Sequence, residues 1–357
     1  MQTTRILLIT TGGTIGGNIA DDSTGKMKPR SFDKIIRPTI QSIKRKWSIE
    51  PEIETFEMCD EDSSDIRPKH WTQLCNIITK RYDEFDSFVI AHGTNTLGYT
   101  SAALSFALTN INKPVILTGS QVPFGDLGAD ALMNLQNAIR IAVWPYDQIK
   151  GVMVVFGSRI ITGTRVKKST EFDYDAFKSF SVSEIGQIGR VININKYNLG
   201  RHNDYLKQHS QPALMKASLK VASKFESQIV SLTEFPGMSE KIFDTLLDSG
   251  VKGFILRAFG AGDPFQGLRK TFERLKKKNA PLIVTTQAPN GNSNFQVNQP
   301  GQILAEMDLA IPAFDMSIEA ITTKLSWLLA QKTPFESMKS EMHKDLHGEI
   351  RVTQDIR

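Results

Sequence analysis

The chain has 357 residues, 40% of them hydrophobic and 23% charged, with a formal net charge of +5 at pH 7. That length suits two domains of ordinary size, and the composition is that of a soluble globular chain, which excludes a disordered or fibrous one. The basic surplus is small and lies in scattered clusters such as Lys44–Lys46 and Lys276–Lys278, without the interleaved aromatics of a base-stacking surface, so nucleic acid is not an expected partner.

Short apolar runs at Arg5–Thr10 (RILLIT), Ser87–Ala91 (SFVIA), Pro114–Thr118 (PVILT) and Gly151–Phe156 (GVMVVF) read as strands buried on both faces. Helical patterns fill the intervals. Trp71, Leu74, Cys75 and Ile78 recur at i, i+3, i+4, i+7, and Leu132, Leu135, Ile139 and Ala142 form a similar stripe. This alternation is the signature of βαβ units around a parallel sheet. From about Lys196 to Ala222 the periodicity fades into a polar stretch (NLGRHNDYLKQHSQP) that reads as a linker. The alternation then resumes, with strands at Ile229–Leu232, Gly253–Leu256 and Pro281–Thr285 and helices near Ser239–Asp248 and ending in Lys276–Lys278. A closing helix carries Ile318, Ile321, Leu325, Leu328 and Leu329 on one packing stripe. The expected fold is α/β: a larger N-terminal catalytic parallel-sheet domain over 1–195, a linker over 196–222 and a smaller C-terminal α/β domain over 223–357.

The first strand begins by Arg5, leaving no room for a signal peptide, and no apolar run approaches the roughly 20 residues that span a bilayer. Cys59 and Cys75 give neither a disulfide framework nor a CxxC spacing. A cytoplasmic location with reduced cysteines and no membrane partner is expected.

In an open parallel sheet, ligands bind beyond the carboxyl ends of the strands. The loops there are Thr10–Gly17 (TTGGTIGG), Ala91–Thr96 (AHGTNT), Thr118–Gln121 (TGSQ) and Gly157–Arg159 (GSR), rich in glycine and hydroxyls. The first fails the GxGxxG spacing and lacks the GK[ST] ending of a phosphate loop. Glycines there let backbone N–H groups approach a ligand as an oxyanion hole, with a threonine hydroxyl exposed for attack; a tight turn alone would also account for Gly12 and Gly13. A threonine needs a base to become a nucleophile, and a lysine serves when burial or neighbouring charge keeps it neutral. The six histidines lack HExxH spacing, and His92 reads as a structural hydrogen-bonding residue. Neither a metal nor a cofactor is expected.

The segments TTGGTIGG, DSSDI, HGTNTLGYTSAAL, PVILTGSQVP, GTRVKKSTEFDYDAF and FDMSIEAITTKL stand in the order found in bacterial L-asparaginases, and the chain most resembles their cytoplasmic type I branch over nearly its whole length. The resemblance implies hydrolysis of asparagine to aspartate and ammonia, with Thr14 attacking the amide carbon to form an acyl-enzyme that water releases. It assigns the second catalytic threonine to Thr94 and its lysine to Lys168, with Lys167 as the alternative register. It gives substrate contact to Gly13, Ser63, Ser64 and the supporting Asp62, and to Thr94 and Asn95. It also implies a homodimer or homotetramer acting on a small-molecule amide.

Four positions depart from the family pattern. Asn95 stands where the family has an aspartate that accompanies the threonine–lysine pair and faces the substrate ammonium. No tyrosine occurs between Met1 and Trp47 to assist Thr14, and Lys26 lies in the matching loop. Asp263 replaces an asparagine that lines a neighbouring subunit's site, and Thr286-Gln287-Ala288 lacks the cysteine of an allosteric segment. Losing the aspartate's charge at position 95 removes a contact worth about 1.5–3 kcal/mol for an ammonium substrate. A related amidase acting on a different amide is therefore the alternative activity, and a non-catalytic ligand-binding or amidotransferase-related member the third reading.

Overall fold

A computed structural model of the protein describes residues 2–12, 29–208 and 219–352, without the side chains of 29–35 and 207–208. The chain forms two compact units, Met1–Ser223 and Lys224–Arg357.

The first unit is built on parallel strands β1 (Gln2–Thr10), β2 (Ile49–Glu57), β3 (Ser87–Ala91), β4 (Pro114–Thr118) and β5 (Gly151–Phe156), in the order β2-β1-β3-β4-β5. The apolar runs fix these strands because every residue of β3 and β5 is buried, as helix-covered strands must be. Register pairs Thr10 with Ala91 and Ala91 with Thr118, which aligns the carboxyl ends of β1, β3 and β4 on one sheet edge. Helices α1 (Pro29–Trp47), α2 (Pro68–Lys80), α3 (Leu97–Ala107) and α4 (Ala131–Ala142) connect them. Trp71, Leu74, Cys75 and Ile78 are buried along α2. In α4, however, Leu132 is exposed, because Asn134 and Asn137 take inward positions and bond the loops after β4 and β5.

The strand β2 is invisible as an apolar run. It carries Pro51 and glutamates at 50, 52, 54 and 57, and it forms because β1 offers a free edge along nine paired residues. Edge strands tolerate proline and charge that central ones do not. Beyond β5 the sheet turns antiparallel through β6 (Arg159–Thr162), and short β7 (Val166–Lys168) and β8 (Phe177–Ser179) make a separate ribbon. Strands β9 (Gly186–Ile188) and β10 (Ile192–Ile194) complete an eight-stranded sheet.

The polar stretch expected as a linker over 196–222 begins instead with α5 (Lys196–Gln208). Leu199, His202 and Leu206 are buried on it, and His202 Nε2 lies 2.9 Å from the Lys150 carbonyl. Three inward side chains suffice to dock a helix whose remaining surface is polar, which is why periodicity hides it. Ala222 N–H also donates to the Ala107 carbonyl, so this end of the stretch belongs to the first unit.

In the second unit β11 (Ile229–Thr233), β12 (Gly253–Ala258), β13 (Leu282–Thr286) and β14 (Ile311–Pro312) form a parallel sheet in chain order. One core involves α6 (Lys241–Asp248) and α7 (Arg269–Lys277) through Phe243, Phe272 and Leu275; α8 (Gln299–Glu306) adds Leu304. A second core involves α9 (Ile318–Ala330) and α10 (Phe335–His343). Ile321, Leu325 and Leu328 are buried in it, with Ile318 and Leu329 packed alongside. On α9, fully buried Lys324 donates to the Met342 and Lys344 carbonyls and to Glu349 Oε1 at 2.6 Å. Among the described residues no helix is long and apolar enough to cross a membrane.

Candidate active site

The aligned strand ends gather the loops singled out by composition. Thr11 continues from β1, its N–H donating to the Ala91 carbonyl at 3.1 Å and its hydroxyl to the same oxygen at 3.3 Å. Gly12 follows with φ +86°, and a Cβ there would stand 2.4 Å from the Glu61 backbone nitrogen, so both conformation and space demand glycine. Gly13, Thr14 and Lys26 lie outside the described residues.

After β2 the chain makes a short 3-10 turn, Ser63–Asp65, capped by Asp62. Asp62 Oδ1 accepts the Ser64 N–H at 2.8 Å and the Ser64 hydroxyl at 2.6 Å. These Ser64 donors, with a smaller contribution from the Asn95 amide, hold the exposed Asp62 carboxyl below the usual aspartate range. Ser63 is buried and works differently. Its Oγ accepts the Asn95 N–H at 3.1 Å and its carbonyl accepts the Thr96 hydroxyl at 2.6 Å, so it bolts the 62–65 turn to the loop after β3. Gly93 permits this approach, since a Cβ there would meet Ser63 Cβ and Oγ at 2.7 Å.

Lys168 reaches this loop from the end of β7. Its ammonium donates to Thr94 Oγ1 at 3.0 Å, to Asn95 Oδ1 at 3.4 Å and to Glu171 Oε2 at 2.8 Å. Three N–H donors thus meet three acceptors. Successive side chains of a strand leave on opposite faces, so Lys167 and Lys168 do not share one. Asn95 turns its oxygen to Lys168 and its amide nitrogen to Asp62, bridging cation and anion without charge of its own.

Glu171 is the residue that sequence reasoning missed. The only signal is its spacing three residues beyond Lys168, which has no meaning outside a helix until the loop is folded. Gln121, from the loop after β4, donates its side-chain amide to the Glu171 carbonyl at 2.7 Å and so ties a third strand end to the lysine.

Beneath the loop, His92 is wholly buried, and burial pushes its pKa down to about 4, so the ring is neutral. Its Nδ1 lies 2.7 Å from the Gly93 carbonyl and must carry the proton; Nε2 then accepts from the Thr100 hydroxyl at 2.9 Å, which itself accepts Trp71 Nε1–H at 3.1 Å. This one-way chain supports the loop from behind, a structural role as expected from its sequence context.

The departures in the second unit close local turns. Asp263 Oδ2 accepts from Asn298 Nδ2 at 2.6 Å and from the Ala261 N–H at 3.1 Å, and the Thr286 hydroxyl donates to the Gly260 carbonyl at 2.6 Å.

The family models "Asparaginase, N-terminal" and "Glutaminase/Asparaginase C-terminal domain" match residues 5–199 and 228–342. The chain is 32% identical to L-asparaginase 1 of Escherichia coli K12, covering 98% of this chain and 99% of that protein. It is also 32% identical to a glutamyl-tRNA(Gln) amidotransferase subunit of Aeropyrum pernix, covering 99% of this chain and 81% of that one. The thermostable L-asparaginase of Thermococcus kodakarensis superposes with a TM-score of 0.83 at 28% identity, over 98% of this chain and 100% of that one. A loop edge rich in hydroxyls, a threonine–lysine contact across it and full-length similarity converge on one conclusion: the chain belongs to the asparaginase family.

Proposed function

We propose that the chain is an L-asparaginase that hydrolyses L-asparagine to L-aspartate and ammonia, with Thr14 as nucleophile. The observation that carries this reading is the 3.0 Å hydrogen bond between Lys168 Nζ and Thr94 Oγ1, on the sheet edge where Thr11 and Gly12 lead into the Thr14 segment. In this mechanism Thr14 Oγ attacks the amide carbon and its proton passes to the Thr94–Lys168 pair. That pair returns it to the departing nitrogen, ammonia leaves, and water attacks the acyl-enzyme to release aspartate. To accept a proton Lys168 must first be neutral. Its carboxylate partner Glu171 has a side chain 67% exposed, so water can satisfy that carboxylate while the lysine cycles. Asp62, Ser63 and Ser64 hold the amino-acid end of the substrate. Assembly as a homodimer or homotetramer belongs to the same proposal.

Asn95 favours one second reading, an amidase for a substrate without a free α-ammonium, because a neutral amide stands where the family resemblance calls for a carboxylate. Asp62, ionised and hydrogen-bonded to Asn95, leaves one anion to meet an ammonium and keeps asparagine the better candidate. The test is ammonia release from asparagine, glutamine and an N-blocked asparagine, by the wild type and by Thr14→Ala. Release from asparagine that vanishes in the variant is expected. Release only from the blocked amide selects the second reading. No release from any amide, with asparagine still raising the unfolding temperature, would make the chain a binding protein and overturn both.

A further inference from the structure

The helices α1 and α4 flank an open pocket of about 320 Å³ in the first unit, within the size range of small-ligand pockets. Its polar and aromatic lining comes from Thr39, Ser42, Lys46 and Trp47 on α1 and from Gln136 and Arg140 on α4. Among the described residues, no acidic one lines it.

Two cations therefore face a common space that, among the described residues, holds no counterion. Arg140 is half-buried, and burial alone lowers its pKa; one guanidinium nitrogen donates to Asn137 Oδ1 at 2.9 Å, and among the described residues no carboxylate pairs with it. Lys44, two positions before Lys46, is paired with Glu50 at 2.6 Å, whereas Lys46 has no carboxylate within ion-pair distance among the described residues. Thr39 lines the space but is buried, so the exposed Ser42 hydroxyl, one turn further along α1, is the one open to a ligand. Trp47 supplies a flat apolar wall, itself braced edge-on by Trp144 at 5.3 Å.

We infer that this pocket binds a small organic phosphate, with its oxyanion between Arg140 and Lys46 and its body against Trp47. A phosphate monoester is the better match than a carboxylate. The site combines an arginine fork, a lysine point charge, the Ser42 hydroxyl and the Gln136 amide, more donors than two carboxylate oxygens use, while a phosphate brings three acceptor oxygens and close to two charges. The site is separate from the Thr94–Lys168 cluster. It lies one helical turn further along α4 than Asn137, which bonds the Gly157 carbonyl beyond β5.

Calorimetric titration of the full chain with adenosine monophosphate, inorganic phosphate and citrate tests this. Saturable binding of the nucleotide is expected, with inorganic phosphate about tenfold weaker because it lacks a body to contact Trp47. The double variant Lys46→Gln with Arg140→Gln should lose about 100-fold in nucleotide affinity, while Trp47→Leu should weaken the nucleotide and leave inorganic phosphate unchanged. Ammonia release from asparagine and the unfolding temperature should stay at wild-type values in the glutamine variant, which separates this inference from the proposed function. Absence of binding by both phosphates at millimolar concentration, an undiminished affinity in the glutamine variant, or tighter binding of citrate than of nucleotide would each overturn it.

Discussion

Two lysines in this chain each donate to three acceptors among the described residues, yet they are opposite kinds of residue. Lys324 in the second unit is wholly buried; its acceptors are two backbone carbonyls and Glu349, whose carboxylate is itself fixed by the Leu346 and His347 N–H groups. Burial alone would raise the Glu349 pKa, but the Lys324 ammonium, His347 and these donors outweigh it and hold the carboxyl at about 2. Lys168 has a side chain 15% exposed, and its acceptors are a hydroxyl, a neutral amide and a carboxylate open to water. A cation whose partners cannot move is part of the framework. One whose partners can exchange protons or turn to solvent is able to take part in chemistry. The partners, not burial alone, distinguish them.

Substitution should separate the two most sharply. Lys168→Met is expected to lower kcat for ammonia release by about a hundred- to ten-thousand-fold while leaving the urea unfolding midpoint near wild type. Lys324→Met should do the reverse, losing about 3–5 kcal/mol of stability because Glu349 is left buried without its partner, with asparagine turnover retained by whatever stays folded. If Lys168→Met unfolds the chain, or if Lys324→Met leaves its stability intact, the distinction fails.

The His92 imidazole extends the framework class into the site itself. Its folded pKa of about 4 lies below the ordinary value of 6.5, so the unfolded chain binds the extra proton between those values. Its share of stability is complete above pH 6.5 and is lost as pH falls toward 4, on the order of 3 kcal/mol in all. Urea titrations on either side of that window should show a shallower loss in His92→Asn than in the wild type. Equal slopes would mean that His92 does not resist protonation in the folded state.

The smallest effect concerns Asn95. Asn95→Asp gives Lys168 a second charged partner and supplies a counterion for an ammonium substrate, so KM for asparagine should fall about 10- to 100-fold. Steady-state kinetics on asparagine and on an N-blocked amide would show whether the gain is confined to the charged substrate. An unchanged or higher KM for asparagine would remove the argument from charge.

The central architecture was legible because strands such as SFVIA and PVILT are buried on both faces and carry no competing pattern. Strands Ser87–Ala91, Pro114–Thr118 and Gly151–Phe156 begin and end where the apolar runs do. What escaped was structure held by partners instead of composition: β2, a glutamate-rich strand made by the edge of β1; α5, docked by three side chains; and β6 to β10, too short for a period to register. At the site, hydroxyl and glycine loops marked the sheet edge, and family resemblance singled out Thr94, Asn95 and Lys168 within it. The contact of Lys168 with Glu171 and the bolt made by Ser63 depend on loop conformation, which no spacing rule encodes.

That bolt sets a rule for redesigning the protein. Ser63 joins the turn proposed to grip the substrate to the loop proposed to turn it over, so a library randomised at position 63 would move recognition and rate together. Asp62 and Ser64, exposed on the same turn and bonded mainly to each other, form the separable dial: substrate preference can be retuned there while the Thr94 loop keeps its anchor.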